Sequence, residues 1–410
     1  MSRMQSRIAL IWASSGRLAM GATLVGVLFS VFLAACGSTS TSNKQPYTFA
    51  LLGPLSGANS IYGVNLKNGV ELAVQQVNKA GGINGHKVAL SLYDTQCTAS
   101  GAATAAADVA SGASKPFAVI GDVCSGATLA ALPVLYRAGI AEISGDSTSP
   151  LITSVVKSHH YTNFVRTIPS DAEQAVDMLL YAHDILHKNR VAILYSNDDY
   201  GQPIYAAQVP EIAKLGMTLV ASAAYTPTTT VDFTSQLTKL AAGSPSVVLM
   251  DGYYNDLGTA VRQMPKVSFP KVPLILAAGA ADNGYTQLAG SAATGSLVFS
   301  YYSPGYSLPA NLTFVKQYRA AYHTAPNEQS AHGYGIVELL KAAIEKYGAT
   351  PKTLISVLKK HTFPGTPTGT LGFTQFGDVT HQAGVIEIAT STGLQLDQSA
   401  TAAMNALLSK

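Results

Sequence analysis

Short apolar runs alternate with stretches of helical period along most of the chain. Phe49-Ala50-Leu51-Leu52-Gly53 is the first run and ends in Gly-Pro. Leu66, Val70, Val74 and Val77 then recur at helical spacing. That pattern stops at Ala80-Gly81-Gly82-Ile83-Asn84-Gly85, a helix end and turn. Val88, Leu90 and Leu92 alternate as a strand leading to Asp94, and an Ala-rich helix is expected over about 102–110. Phe117-Ala118-Val119-Ile120, set between Pro116 and Gly121, reads as a buried parallel strand. A helix is expected from Thr128 to a stop at Gly139, shortened or kinked at Pro133. A second run, Ile140–Ser144, follows at once, which completes a strand–turn–helix–strand unit.

Residues 150–167 read as a connection, and a second alternating series begins beyond them. Strands are expected at Val191–Tyr195, Thr218–Ala221, Ser246–Met250, Leu274–Leu276 and Ser296–Ser300. Helices are expected around Ile204–Leu215, from Phe233 and around Leu257–Met264. Later helices fall at Leu312–Tyr322, Ile336–Lys346 and Lys352–Lys360, before a strand at Val385–Ala389. Repeated strand–helix alternation means parallel sheets covered by helices. Two such series, joined near Val165 and Tyr302, predict an α/β fold of two doubly wound parallel-sheet lobes. Ligands of such sheets bind beyond the carboxyl ends of the strands. Asp94, Ser125, Thr148, Tyr200 and Tyr253 all follow predicted strands, so one cleft shared by two lobes, closing on a ligand, is the expected site.

The turn Gly121-Asp122-Val123-Cys124-Ser125-Gly126-Ala127-Thr128 carries the clearest candidate chemistry. It places Ser125 at a helix N-terminus, where free N–H groups and the helix dipole attract an anion. The Ser hydroxyl can donate a further hydrogen bond there. Two readings stay open: the turn holds the carboxylate of a small ligand, or Ser125 only caps its helix. On the turn alone the cap is the simpler account.

Composition narrows the partners. The 410 residues carry a formal charge of +3, and removing Arg3, Arg7 and Arg17 ahead of Cys36 leaves 23 basic against 23 acidic residues. A neutral body argues against a nucleic-acid partner, which needs a basic surface. Leu18–Ala35 is uncharged and ends in Leu33-Ala34-Ala35-Cys36-Gly37, with a polar linker after it. This resembles a bacterial lipoprotein signal and its lipobox. The resemblance implies a signal peptide over 1–35, lipid on Cys36, and a flexible linker to residue 46. The other reading is an uncleaved N-terminal anchor. Either way the folded part lies outside the cytoplasm, on the outer face of the cell membrane or in a periplasm. An oxidising compartment favours a disulfide between the two remaining cysteines, Cys97 and Cys124, which would also pin the turn at Ser125. Loop closure of that length stabilises by about 3.5 kcal/mol in the chain-entropy model.

A set of ordered motifs goes further than any one of them. Gly53-Pro54-Leu55-Ser56-Gly57, residues 78–85, Tyr93-Asp94-Thr95-Gln96-Cys97 and Cys124–Thr128 come first. Phe164–Asp171, Tyr200-Gly201, Val231-Asp232-Phe233 and Gly252-Tyr253-Tyr254 continue the series. In this order the chain resembles the periplasmic binding proteins of type I that deliver branched-chain amino acids to ABC transporters. The resemblance implies two lobes joined by three crossovers, one from 47–166 plus 303–380 and the other from 167–302 plus 381–410. It also implies that Ser125 and Thr148 hold the ligand carboxylate. Tyr62, Tyr200 and Tyr253 would line the pocket. Amino-acid binders of this family carry an acid for the ligand ammonium after the strand matching Leu274–Leu276, and here Gly279 stands at that point. The candidate substitutes are Asp251, then Asp146, and Asp282; the alternative is a ligand that carries no ammonium.

The resulting expectation is a lipid-anchored solute-binding protein, a monomer without cofactor or metal. It would capture a small carboxylate, an amino acid of the branched-chain type, for an ABC transporter permease. The alternatives are a ligand-sensing receptor of the same fold and a binder of an organic acid or amide. An enzyme is not expected. The sequence has no Gly-x-Ser-x-Gly elbow, no His-Glu-x-x-His and no phosphate-binding glycine loop, and His159-His160 reads as a surface pair.

Overall fold

The computed structural model describes residues 44–409, apart from His381 and Ala383. The signal segment and Cys36 lie outside the described residues. The first sheet contains β1 (Tyr47–Gly53), β2 (Val88–Asp94), β3 (Ala118–Ile120), β4 (Glu142–Ser144) and β5 (Phe164–Arg166), all parallel, in the order β2-β1-β3-β4-β5. Its helices are α1 (Ser60–Lys79), α2 (Ala99–Ser111), α3 (Ser125–Ala138) and α4 (Pro150–Ser158). The apolar runs of the strands are buried on both faces, as covered parallel sheets require: Leu51, Leu52, Val119, Ile120 and Ile143 are all inside. Helix α3 runs unbroken through Pro133, so the expected shortening does not occur.

The chain then crosses to α5 (Asp171–Leu180) and builds β6 (Arg190–Ser196), α6 (Gly201–Lys214), β7 (Thr218–Tyr225), α7 (Thr234–Ala242) and β8 (Val247–Asp251). After these come α8 (Tyr254–Gln263), β9 (Leu274–Leu276), α9 (Asn283–Ala289) and β10 (Leu297–Ser300). Strand order β7-β6-β8-β9-β10 repeats that of the first sheet. A second crossing leads to α10 (Pro309–Tyr322), α11 (Glu328–Tyr347), α12 (Leu354–Lys360) and a hairpin of β11 (Phe363–Thr366) and β12 (Gly369–Leu371). After the third crossing, β13 (Val385–Thr390) and β14 (Gly393–Leu396) extend the second sheet antiparallel beside β10, and α13 (Gln398–Leu408) ends the fold.

Helix α11 returns to cover the first sheet by packing against α1. Glycines make the approach close: a Cβ on Gly69 would lie 2.0 Å from the Ser330 carbonyl oxygen, and one on Gly333 2.6 Å from that of Leu66. This packing sets the first turn of α11 at the mouth between the sheets. In both sheets the order reverses beside the first strand of its series, and the loops after β1, β3, β6 and β8 leave the carboxyl ends there. Such reversals open a crevice for a ligand. The stretch read as a connection, 150–167, instead holds α4 and β5, capped at Ser149, whose Oγ accepts from Leu151 N–H.

Candidate functional site

A tight cavity of about 20 Å³, room for little more than one water, lies between the two sets of strand ends. From the first lobe it is lined by Tyr62, Val123, Ser125, Asp146 and Thr148, with Glu328 from α11. From the second come Tyr200, Tyr253, Ala278 and Gly279. Six expected residues therefore meet at one place: Ser125, Thr148, Tyr62, Tyr200, Tyr253 and Asp146.

Ser125 is the first residue of α3, and Cys124, not Ser125, occupies the capping position. The cap reading thus gives way to a serine turned to other partners. Its Oγ accepts from Ser149 N–H at 3.2 Å, which leaves the hydroxyl proton to donate. The turn beneath is held by Asp122, which accepts from Thr95 Oγ1 at 2.6 Å and Cys124 N–H at 2.8 Å. Burial raises the Asp122 carboxyl to about 6 against those hydrogen bonds. Its carbonyl takes the hydroxyls of Ser144 and Ser147 at 2.7 and 2.9 Å. A disulfide joins Cys97 to Cys124, with Cα atoms 5.5 Å apart, and ties the same turn to the loop after β2.

Acidic groups gather on this side. Asp146 lies two residues before Thr148, and Glu328 opens α11. Burial raises both carboxyls, and repulsion from Glu328 adds to the rise at Asp146. Asp146 Oδ2 accepts from Gln329 Nε2 at 3.0 Å, while Oδ1 has no partner. Glu328 Oε2 accepts from Tyr301 N–H at 2.6 Å and Ser300 Oγ at 2.7 Å. Asp171 stands behind Thr148, and burial raises it to about 7. The Thr148 hydroxyl lies near enough to oppose that shift, but neither Asp171 oxygen completes a hydrogen bond of good geometry. Among the described residues no lysine, arginine or histidine lines the cavity. Arg166 is close but committed, to Asp378 and to the carbonyls of Ser147 and Ser149 at 3.1 and 3.0 Å.

The facing side is phenolic and uncharged at the surface it shows. Asp198, in the loop between β6 and α6, accepts from Tyr200 N–H, Gly201 N–H and Ser196 Oγ through one oxygen and from Tyr253 Oη at 2.8 Å through the other. It thereby fixes both tyrosines. Tyr200 Oη accepts from Gly279 N–H at 2.8 Å. Tyr62 reaches across from α1: its hydroxyl donates to the Gly279 carbonyl at 2.5 Å and accepts from Tyr254 N–H at 3.1 Å. A Cβ at Gly279 would lie 2.5 Å from the Gly252 carbonyl oxygen and 2.8 Å from Tyr200 Oη. The point where an acid was expected is thus filled by backbone and two phenols.

Asp251, expected as the first replacement for that acid, is not in the lining. It is fully buried at the end of β8, where Gln208 Nε2 of α6 donates to it at 3.2 Å. Its side chain turns under α6 rather than into the cleft. Asp282 is also outside the lining; its carboxylate takes Gly284 N–H, Asn65 and Asn327. Glu328 went unread because the first turns of α11 bury polar residues and glycines and show no apolar period. The available signal was Pro326-Asn327-Glu328, a capping asparagine followed by an acid at the first helical position; Asn327 does cap α11.

The profile of the family described as "Periplasmic binding protein" matches residues 46–393. The Leu/Ile/Val-binding protein homolog 3 of Brucella melitensis is 28% identical over 358 residues, covering 86% of this chain and 94% of its own. Among solved structures, the branched-chain amino acid transporter substrate-binding protein LivJ of Streptococcus pneumoniae, in complex with isoleucine, superposes with a TM-score of 0.77. It is 23% identical and is covered to 98%, against 86% of this chain. A solute-binding protein of an ABC transporter from R. palustris, in complex with benzoate, gives a TM-score of 0.76 at 19% identity, with 86% and 95% covered.

Proposed function

The chain belongs to the periplasmic binding protein family, and from that premise we propose that it is an extracytoplasmic solute-binding protein for an ABC transporter permease. It captures a small carboxylate, an amino acid of the branched-chain type, between its lobes. Lipid on Cys36 anchors it to the membrane, and it works as a monomer. In this reading the lobes divide at 166/167, 302/303 and 380/381 and hinge at those crossings.

One observation carries the proposal. A single cavity joins Ser125, at a helix N-terminus, and Thr148 on one lobe to Tyr200 and Tyr253 on the other. Helix N–H groups and two hydroxyls suit a carboxylate, and three phenolic rings with Val123 and Ala278 supply an apolar wall for a short side chain. The Brucella and Streptococcus proteins named above support the branched-chain class, while the benzoate complex shows that the fold also accepts an acid without an amine.

Thermal-shift measurement against the twenty L-amino acids and a set of short organic acids tests the proposal. A ligand at a hundred times its Kd adds about 2.7 kcal/mol of stability. Leucine, isoleucine or valine should raise the melting temperature and reduce the radius of gyration in small-angle scattering. No response to any amino acid or small carboxylate removes the reading.

A further inference from the structure

We infer that the neighbouring carboxyls of Asp146 and Glu328 seat the ammonium group of the ligand. The first lobe alone then holds both ends of a zwitterion, and the second closes over it with uncharged groups. The inference rests on the amino-acid reading above and names the residues that recognise the amino end.

Position comes first. Both side chains line the cavity that Ser125 and Thr148 also line. Asp146 leaves the same loop as Thr148, so one short segment faces both ends of a bound amino acid. Glu328 arrives from a different element, the first turn of α11, which makes the acid pair a built feature rather than a run of charge along one helix.

The cavity also lacks a compensating cation. Asp146 Oδ1 is buried without a hydrogen-bond partner, and Asp171, fully buried behind Thr148, has two carboxylate oxygens in the same condition. A buried negative charge without a partner is costly. The neighbouring elements offer no cation in the described structure. Arg166 of β5 is spent on Asp378 and two carbonyls. His332, one turn along α11, is bonded through Nδ1 to Thr167 and held neutral by burial. Tyr62 and Tyr200 are phenols. An incoming ammonium supplies the missing charge.

The opposite wall completes the argument. At Gly279 there is no room for any side chain, and Tyr62 and Tyr200 satisfy its carbonyl and N–H. No carboxylate reaches the cavity from the second lobe among the described residues. The cation seat therefore lies across the cleft from Gly279, on the lobe that already holds the carboxylate. A zwitterion can dock fully on the open first lobe, and closure then tests its size and shape.

Isothermal titration of the purified protein with L-leucine and with 4-methylpentanoate, the same skeleton without the amine, tests this. If leucine gives no response, the amino acid with the largest thermal shift and its deaminated acid take their place. Asp146→Asn and Glu328→Gln should each weaken the amino acid by at least about tenfold, the loss of one charge-assisted hydrogen bond, and change the acid less than threefold. Tyr253→Phe should weaken both compounds alike. Equal losses for amino acid and acid in the Asn and Gln variants overturn the inference. So does a wild-type protein that binds the acid as tightly as the amino acid. Should either variant fail to fold by circular dichroism, the wild type still decides. Binding of acids but no amino acid ends both this inference and the amino-acid reading while leaving a solute receptor; binding of nothing ends all three.

Discussion

The two sides of the cleft share a strand order but not a chemistry. The first lobe presents Ser125, Thr148, Asp146 and Glu328. The second presents Tyr200, Tyr253, Ala278 and the backbone of Gly279. On the first side hydrogen-bonding groups point at the cavity with capacity to spare: a serine proton, a free Asp146 oxygen, a carboxyl pair. On the second the polar groups are already paired with each other, through Asp198 to both tyrosines and through Tyr200 to Gly279. A repeated topology has been furnished once for recognition and once for closure. The difference predicts that variants of the first side change which charges are bound, and variants of the second change how tightly the cleft stays shut.

The largest expected contrast is in pH dependence. Burial raises Asp171 to about 7 and raises Glu328, whereas in the unfolded chain these groups titrate near 4. Between those values the folded protein binds more protons than the unfolded one. Stability is therefore fully present below the unfolded value and is lost as pH rises through the folded one, by up to about 1.4 kcal/mol per pH unit for each carboxyl that must stay protonated. His332, pushed down to about 3 by burial, contributes the opposite slope below its unfolded value of roughly 6.5. It is one group against several, since Asp256, Asp177 and Glu387 are also raised. The ligand-free protein should lose stability in urea titrations from pH 5 to pH 8. Asp171→Asn should flatten that slope and Tyr253→Phe should leave it intact. A stability that climbs steadily over the same range would remove the picture of buried acids held protonated.

The middle effect separates the carboxylate end. Ser125→Ala removes one hydroxyl at the N-terminus of α3 and leaves the turn held by Asp122 and the disulfide. A charge-assisted hydrogen bond contributes about 1.5–3 kcal/mol, so affinity should fall by roughly one to two orders of magnitude. The loss should be as large for 4-methylpentanoate as for leucine, because both carry the carboxylate. Titration of a neutral amide with unchanged affinity in Ser125→Ala would show that the N-terminus of α3 does not hold the ligand.

How much of this was legible in the sequence follows the same division. Strand ends followed by Ser125, Thr148, Tyr200 and Tyr253 could be read because the apolar runs before them are short and bounded by Gly, Pro or Asp. The βα alternation located both sheets for the same reason. What escaped is built from polar burial. Helix α4 begins at Ser149-Pro150 and offers only two buried apolar residues, Ile152 and Val156. The first turns of α11 bury Glu328, Gln329, Ser330, His332 and Gly333, so no periodicity announces them. Asp251 misled for a related reason. Its place at the end of β8 was read correctly, but the side to which a strand-end residue turns depends on what packs there, and Gln208 of α6 was invisible from one strand's pattern. The elements after β13 were missed because β14 is a four-residue edge and α13 buries only Ala400 and Met404.

The smallest effect belongs to the contact that joins the two sides. Tyr62 stands on α1, yet its hydroxyl donates to the Gly279 carbonyl at 2.5 Å and accepts from Tyr254 N–H at 3.1 Å. The Tyr254 hydroxyl in turn donates to the Ala58 carbonyl at 3.1 Å. These bonds exist only while the lobes are together; once apart, water can satisfy the same groups. Tyr62→Phe keeps the ring and its edge-on contact with Tyr254, with centroids 5.2 Å apart, but removes both hydroxyl bonds. The variant therefore disfavours the closed form relative to the open one by the net worth of one or two hydrogen bonds, about 0.5–1.5 kcal/mol each. That shifts the population toward the open form without touching either charged end of the ligand. Affinity should fall about three- to tenfold, by the same factor for leucine and 4-methylpentanoate, and the change should sit in the dissociation rate. Stopped-flow displacement measures it directly. A loss confined to leucine would make Tyr62 part of the amino seat and blur the two sides, and an unchanged dissociation rate would mean that closure is held elsewhere, with Asp282 and its partners Asn65 and Asn327 the next contacts to remove.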